Sequence, residues 1–339
     1  MTPTPDPAPL GWGLIGCGAA GRAHTRWAAA EANTTVRAFC DVDAPAAEAL
    51  AREHDGAWHT TDPARLFADP DIDILSIATS HDSHAELAIA AFEAGKHLFL
   101  EKPMAMTVTD CLRIEAARKA ARRRLMLNFS IRFSGAARAI RERLGTPLVS
   151  HAQCTQAPAD LTRWHWHPLL GGGPLYDVGV HALDLLCWLH DDDPVEVFAT
   201  GGQITHPGDL GGPDMVDTVA ATLRFANGSV ATFLMTDAGR NELLSKWFFE
   251  FFDGSGTAVL HEHFKAATFT LPDPASGELL SDTVRPGEAP RICDLVAAIR
   301  VGTDPAIGAR EGIRSTLLVE RITESIRTGL PQKVEMPPM

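Results

Sequence analysis

Tyrosine is almost missing from this chain: Tyr176 is the single one in 339 residues. Any aromatic wall of a binding site must therefore come mainly from its seven tryptophans or its 14 histidines. Cysteine is sparse too, with Cys17, Cys40, Cys111, Cys154, Cys187 and Cys293 scattered and never in C-x-x-C spacing. That argues against a zinc knuckle or a disulfide frame and for reduced thiols in a cytoplasm. No run reaches the roughly 18–20 apolar residues that cross a bilayer, and a 45% apolar fraction with mean hydropathy near zero describes an ordinary soluble protein. Basic residues are in deficit, 30 against 43 acidic for a net charge of −13, which disfavours polyanionic partners, so neither nucleic acid nor a membrane surface is expected. The short basic stretch "RKAARRR" ends a helical pattern, where cations complement the dipole. The opening "MTPTPDPAPL" has no basic residue and no apolar core, so it does not read as a signal peptide but as a short disordered tail over residues 1–10.

The length suits two domains of ordinary size. From Gly11 to about residue 125, short apolar runs ("WGLIG", "VRAFCD", "IDILSIATS", "KHLFLE") alternate with amphipathic helical stretches. Such runs fit strands buried on both faces, joined by right-handed helical crossovers. The expected fold over 11–125 is a doubly wound parallel α/β sheet, a Rossmann dinucleotide-binding domain. "LMLNFSIRF" adds one strand and "SGAARAIRERLG" a helix. Beyond residue 146 the strands change character, and "FANGSVA" and "FDGSGT" carry hairpin signals. Residues 126–339 are therefore read as an α+β domain on a largely antiparallel open sheet, serving substrate binding and oligomerisation. The apolar density of "FLMT" and "KWFFEFF" suggests that the sheet's uncovered face joins subunits in a homodimer or homotetramer.

"GCGAAG" places Gly16, Gly18 and Gly21 in G-x-G-x-x-G register, after one expected strand and opening an expected helix, with Ala19 and Ala20 between. The first glycine permits a tight turn, the second a close backbone approach to a pyrophosphate, and the third helix packing on the sheet. Twenty residues past Gly21, Asp41 ends a strand. An acid there accepts hydrogen bonds from ribose and repels a 2′-phosphate, favouring NAD over NADP. "LEKP" brings Glu101 and Lys102 to the strand edge where open α/β sheets bind ligands, and Pro103, which can take a cis bond, fixes the turn. In "GGGPLYDVGVHALD", helical spacing puts Asp177, His181 and Asp184 on one stripe.

Together "GLIGCGAAGRAH", "HAELAIAAFEAGKHLFLEKPMAMT", "IRFSGAARAIRERLG", "GGGPLYDVGVHALDLLCWL" and "ESIRTGLP" resemble the Gfo/Idh/MocA family, the glucose-fructose oxidoreductases and inositol 2-dehydrogenases, over residues 11–330. The resemblance implies a catalytic centre of Lys102, Asp177 and His181 and an NAD-dependent dehydrogenase acting on a secondary alcohol of a sugar, sugar derivative or cyclitol. It implies glycines 171–173 passing close to the cofactor, with Asp184 supporting the helix. His181 would be the base, Lys102 would orient the hydroxyl, and Asp177 would accept from the substrate. Thr79 and His84 fall at the cofactor loop, although Ser80 and His81 stand where the family usually has Pro-Asn. Arg163 and Trp166, in "RWHWH", are candidate substrate contacts, and the histidines there lack further ligands at metal spacing, so no metal is expected. The same fold hosts enzymes with resident NAD that catalyse elimination or glycoside hydrolysis, and sensors without turnover. The intact Lys102, Asp177 and His181 count against the sensors.

Overall fold

The computed structural model describes residues 8–155, 160–208, 210–212, 215–239, 246–272, 279–281 and 290–339. Most of the Pro-rich opening, residues 1–7, lies outside them, and Leu10 already belongs to the first strand. The first half alternates strand and helix: β1 (Leu10–Ile15), α1 (Ala19–Ala30), β2 (Thr34–Cys40), α2 (Ala44–Arg52), β3 (Trp58–Thr60), α3 (Ala64–Ala68), β4 (Ile74–Ile77), α4 (His84–Glu93), β5 (His97–Leu100), α5 (Val108–Ala121) and β6 (Leu125–Leu127). Among the described residues these six strands form one parallel sheet in the order β3-β2-β1-β4-β5-β6. The order reverses between β1 and β4, which creates the crevice where such sheets take ligands. Helices on both faces bury the central strands, with Leu14, Ile74, Ile77, Phe99 and Leu100 at 0% exposure. The boundary drawn at residue 125 falls on the first residue of β6, and the expected long strand there is three residues followed by a 3-10 turn over Ser130–Phe133.

The second half runs α6 (Gly135–Arg143), β7 (Val149–Thr155), α7 (Val180–His190), β8 (Pro194–Gly202), β9 (Thr218–Phe225), β10 (Val230–Thr236), β11 (Trp247–Phe252), β12 (Thr257–His261), β13 (Ala266–Thr270), β14 (Leu279–Ser281), α8 (Pro290–Val301), α9 (Ala309–Thr328) and β15 (Gln332–Lys333). Its sheet has the order β14-β13-β12-β11-β7-β10-β9-β8-β15 among the described residues. It is mixed: β7 and β10 pair in parallel, and the other pairings are antiparallel. Both expected hairpins are present, with Gly228 and Gly254 taking the positive φ their turns require. One face of this sheet packs on α6, α7 and α9. Inward side chains Phe233, Met235, Phe249 and Phe251 are buried, while Val149, Phe198, Val230 and Phe252 project from the other face. Helices α8 and α9 return to the parallel sheet, α8 packing on β5 and β6 and α9 on β6 and α5.

Candidate active site

The glycine loop between β1 and α1 gives each glycine its own reason. Gly16 has φ +96°, and a methyl group there would sit 2.5 Å from the Ala78 carbonyl oxygen. At Gly21 it would sit 1.9 Å from the Gly16 carbonyl oxygen, so α1 can lie this close to β1 only without a side chain. Gly18 differs, because nothing lies within 4 Å of its missing Cβ. Open space therefore faces the N-terminus of α1, which no side chain caps, and a phosphate fits that cradle. Asp41 follows β2, and its two carboxylate oxygens accept the amides of Cys17 at 2.6 Å and Asp43 at 2.9 Å. The carboxylate thus pins the loop and retains lone pairs for a ribose hydroxyl.

From this cradle a cleft of about 400 Å³ runs between the sheets. Gly18, Ala19, Ala20, Thr79, Glu101 and Lys102 line it from the parallel half, and Arg163, Asp177 and His181 from the other. Lys102 lies just past β5, and its peptide bond to Pro103 is cis. Its Nζ donates to Asp177 Oδ1 at 2.8 Å and to the Asp177 carbonyl at 2.6 Å, with the two side chains only 13% and 16% exposed. Asp177 stands on a π-helical turn, Leu175–Gly179, that leads into α7. His181 is held edge-on by Phe129 and Trp247, at centroid distances of 6.0 and 6.2 Å. Its buried Nδ1 has no hydrogen-bond partner among the described residues. Burial first, and then the Lys102 ammonium, push its pKa down to about 3, so the ring is a neutral acceptor at neutral pH.

Glu101 faces the same space from below. Its Oε1 accepts from His24 Nε2 at 2.8 Å and Asn128 Nδ2 at 2.6 Å, while Oε2 accepts the Lys102 amide at 3.1 Å. Burial alone would raise its pKa, but the His24 hydrogen bond and charge, with Lys102 and Asn128, hold the carboxyl well below its ordinary range. Because a carboxylate only accepts, His24 donates from Nε2, and its Nδ1 lies 2.8 Å from the Ser76 hydroxyl.

Three expectations need correction, while Asp184 stands where the resemblance put it, supporting the helix. Asp184 does not share the cleft with Asp177 and His181: it is 2% exposed and paired with Arg132, Nε to Oδ2 2.7 Å, with Arg314 at 3.8 Å. Glycines 171–173 pack against the protein itself, since side chains there would strike the His165 backbone, Tyr176, Met106 and Met215. His84 is fully buried and donates from Nδ1 to the Pro103 carbonyl at 2.8 Å, holding the Lys102 turn from behind rather than lining the cleft. Trp166 packs with Leu210 and Met215 and faces an adjoining cavity. In its place Trp164 and His165, stacked at 3.7 Å, line the cleft.

His81, at the departure from Pro-Asn, also lines the cleft, edge-on to Trp164 at 4.8 Å and bonded to the Gly171 carbonyl at 2.7 Å. His24, Asn128 and Ser130 belong to the site as well, and only "RAH" in the quoted motifs hinted at one of them. Among the described residues no group of His, Cys, Asp or Glu is arranged to hold a metal, and no helix is long and apolar enough to cross a membrane.

Comparison with known proteins agrees with the two-sheet fold. Residues 10–129 match the family model described as an oxidoreductase family with an NAD-binding Rossmann fold, and residues 135–248 match the GFO/IDH/MocA C-terminal domain. A 1,5-anhydro-D-fructose reductase of Ensifer adhaerens is 32% identical over 229 residues, covering 66% of this chain and 68% of that one. Inositol 2-dehydrogenase 2 of Saccharopolyspora erythraea is 28% identical over 345 residues, 96% of each. A solved levoglucosan dehydrogenase in complex with NADH and levoglucosan superposes with a TM-score of 0.86 at 25% identity, covering 97% of this chain and all of that one. With a nucleotide cradle on a parallel sheet, Lys102, Asp177 and His181 meeting above it, and both domain models matched, the chain belongs to the Gfo/Idh/MocA family of NAD-binding oxidoreductases.

Proposed function

We propose that this protein oxidises a secondary alcohol of a sugar, sugar derivative or cyclitol with NAD, or runs the reverse reduction, in a reducing cytoplasm. The observation that carries the reading is the convergence of Lys102, Asp177 and His181 on a cleft continuous with the open space at Gly18. Gly18, the first turn of α1 and Asp41 would hold the nucleotide, with Thr79, Glu101 and Lys102 farther along the cleft. When bound, the nicotinamide supplies the hydride acceptor. Lys102 orients the substrate hydroxyl and stabilises the charge that develops on its oxygen. Neutral His181 accepts the hydroxyl proton, and Asp177 sets the position of Lys102 and accepts from a neighbouring substrate hydroxyl. Asp41 favours NAD over NADP because its charge repels a 2′-phosphate.

A panel of sugars, polyols, uronates and inositols, followed by NADH formation, tests the reading. Absence of turnover across the panel, with NAD copurifying and not exchanging, would point to a resident-cofactor enzyme instead. The subunit proposal rests on the outer face of the second sheet, where Val149, Val230 and Phe252 lie in register across β10, β7 and β11, and Phe198 projects from β8. Light scattering at micromolar concentration is expected to give a dimer or tetramer, and a stable monomer defeats it.

A further inference from the structure

A cation lies beside the catalytic cluster that neither the motifs nor the pairing of Lys102 explains. Lys246 directly precedes β11, and its carbonyl accepts the Thr155 amide at 2.9 Å, which fixes its backbone against β7. Its ammonium sits 5.5 Å from the Trp247 ring, the ring that holds His181 edge-on. It is near enough to His181, Asp177, Lys102 and Arg163 for their charges to act on one another. Burial, opposed by Asp177, lowers its pKa below the ordinary lysine value. Among the described residues neither Lys246 nor Arg163 forms a side-chain ion pair.

Among the described residues the charges around the cleft do not balance. Lys102 and Arg163, which line it, and Lys246 behind its wall stand against two carboxylates, and both of those are engaged: Asp177 by Lys102, and Glu101 by His24 and Asn128. Burial lowers the pKa values of His81, His165 and His181, which leaves these rings neutral at neutral pH. A protein with net charge −13 thus keeps a local positive excess where its substrate must bind. A half-buried ammonium is costly unless a ligand anion offsets it. The geometry points to a sugar acid, a uronate or aldonate, as the substrate class, with Lys246 as the residue that selects its carboxylate. The inference rests on the oxidation proposed above. A monovalent anion fits the small surplus better than a phosphate dianion.

Calorimetric titration of the NAD-loaded protein with D-glucuronate and D-glucose, which share a ring, tests this. Glucuronate is expected to bind at least about tenfold tighter, the worth of one charged hydrogen bond. Sodium chloride should shrink that preference, Lys246→Met should reduce it about tenfold, and Lys246→Arg should retain most of it. Equal affinities, tighter binding of glucose 6-phosphate, or a preference indifferent to salt overturns the inference whether or not the Met variant folds. NADH formation, followed in parallel, separates the two proposals. Neutral sugars oxidised in preference to acids remove the sugar-acid inference and leave the oxidation standing. Acids bound tightly without NADH formation keep the anion site and remove the oxidation.

Discussion

Replacing Lys102 by Met keeps the length of the side chain and deletes its charge, and the consequences follow from the distances. At 2.8 Å from Asp177 Oδ1, the gross attraction is about 6 kcal/mol at an effective dielectric constant of ~20, and desolvation offsets part of it. Losing one partner of a buried pair costs about 3–5 kcal/mol. The 13% and 16% residual exposure of the two side chains places this case at the low end, so a stability loss of ~3 kcal/mol is expected. Lys102→Met with Asp177→Asn should recover part of it, because no carboxylate is then left without its ammonium. Catalysis should fall further, by about 10²–10⁴-fold in kcat, since the lost charge counts most as the hydroxyl oxygen becomes negative. The pH profile supplies a sharper signature. With Lys102 gone and Asp177 still present, His181 should titrate above its value of about 3, and the acid limb of kcat should move upward. Stopped-flow hydride transfer across a pH series reads both quantities. A folded variant with kcat within about threefold of wild type, or an unmoved acid limb, refutes the assignment, because a ~100-fold loss is the minimum the chemistry predicts.

Other perturbations separate the remaining roles. Asp41→Ser removes the charged acceptor of the Cys17 amide and should weaken NAD about ten- to a hundredfold, narrowing the gap to NADP; fluorescence titration showing wild-type preference for NADP would reassign Asp41. Gly21→Ala forces a methyl group against the Gly16 carbonyl and should cost about 3 kcal/mol in urea unfolding, whereas Gly18→Ala, pointing into open space, should leave stability unchanged and weaken NAD binding; equal stability losses contradict this division. Burial lowers His97 and His190 to about 4 and His181 to about 3, all below their unfolded value of 6.5. The unfolded chain therefore takes up protons first, and stability falls as pH drops from 6.5 toward 4, by ~1.4 kcal/mol per group at pH 5.5; denaturant midpoints that do not change between pH 7.5 and 5.5 count against it.

What could be read from the chain was local or spaced by a fixed rule. The G-x-G-x-x-G turn with Asp41, the buried runs of the parallel sheet and the two glycine hairpins all announce themselves within a few residues of their partners. Contacts across long separations leave no such pattern. His24 reaches Glu101 77 residues away, and Lys102 reaches Asp177 75 away; only the resemblance linked the second pair. The parallel pairing of β7 with β10 was hidden because two alternating strands look alike in either direction. The π-turn over Leu175–Gly179 left no mark in the spacing of Asp177 and His181. Lys246 stood out in no motif at all, and its neighbours arrive from β7, α7 and the turn after β5.

The return of α8 and α9 to the first sheet means that the nucleotide-binding unit is not one continuous piece of chain. Ile292 and Leu295 of α8 are fully buried, the Leu127 amide donates to the Ile307 carbonyl, and Asp304 pairs with both Arg118 and Arg124. Topologically, the second sheet, apart from its edge strand β15, is an insertion between the last parallel strand and the helices that cover it. A fragment cut after β6 would expose the apolar flank that α8 seals, so a transplantable cofactor module must carry both ends of the chain and splice out the middle. The grafting points for exchanging substrate specificity among relatives would then be the segment after β6 and the start of α8.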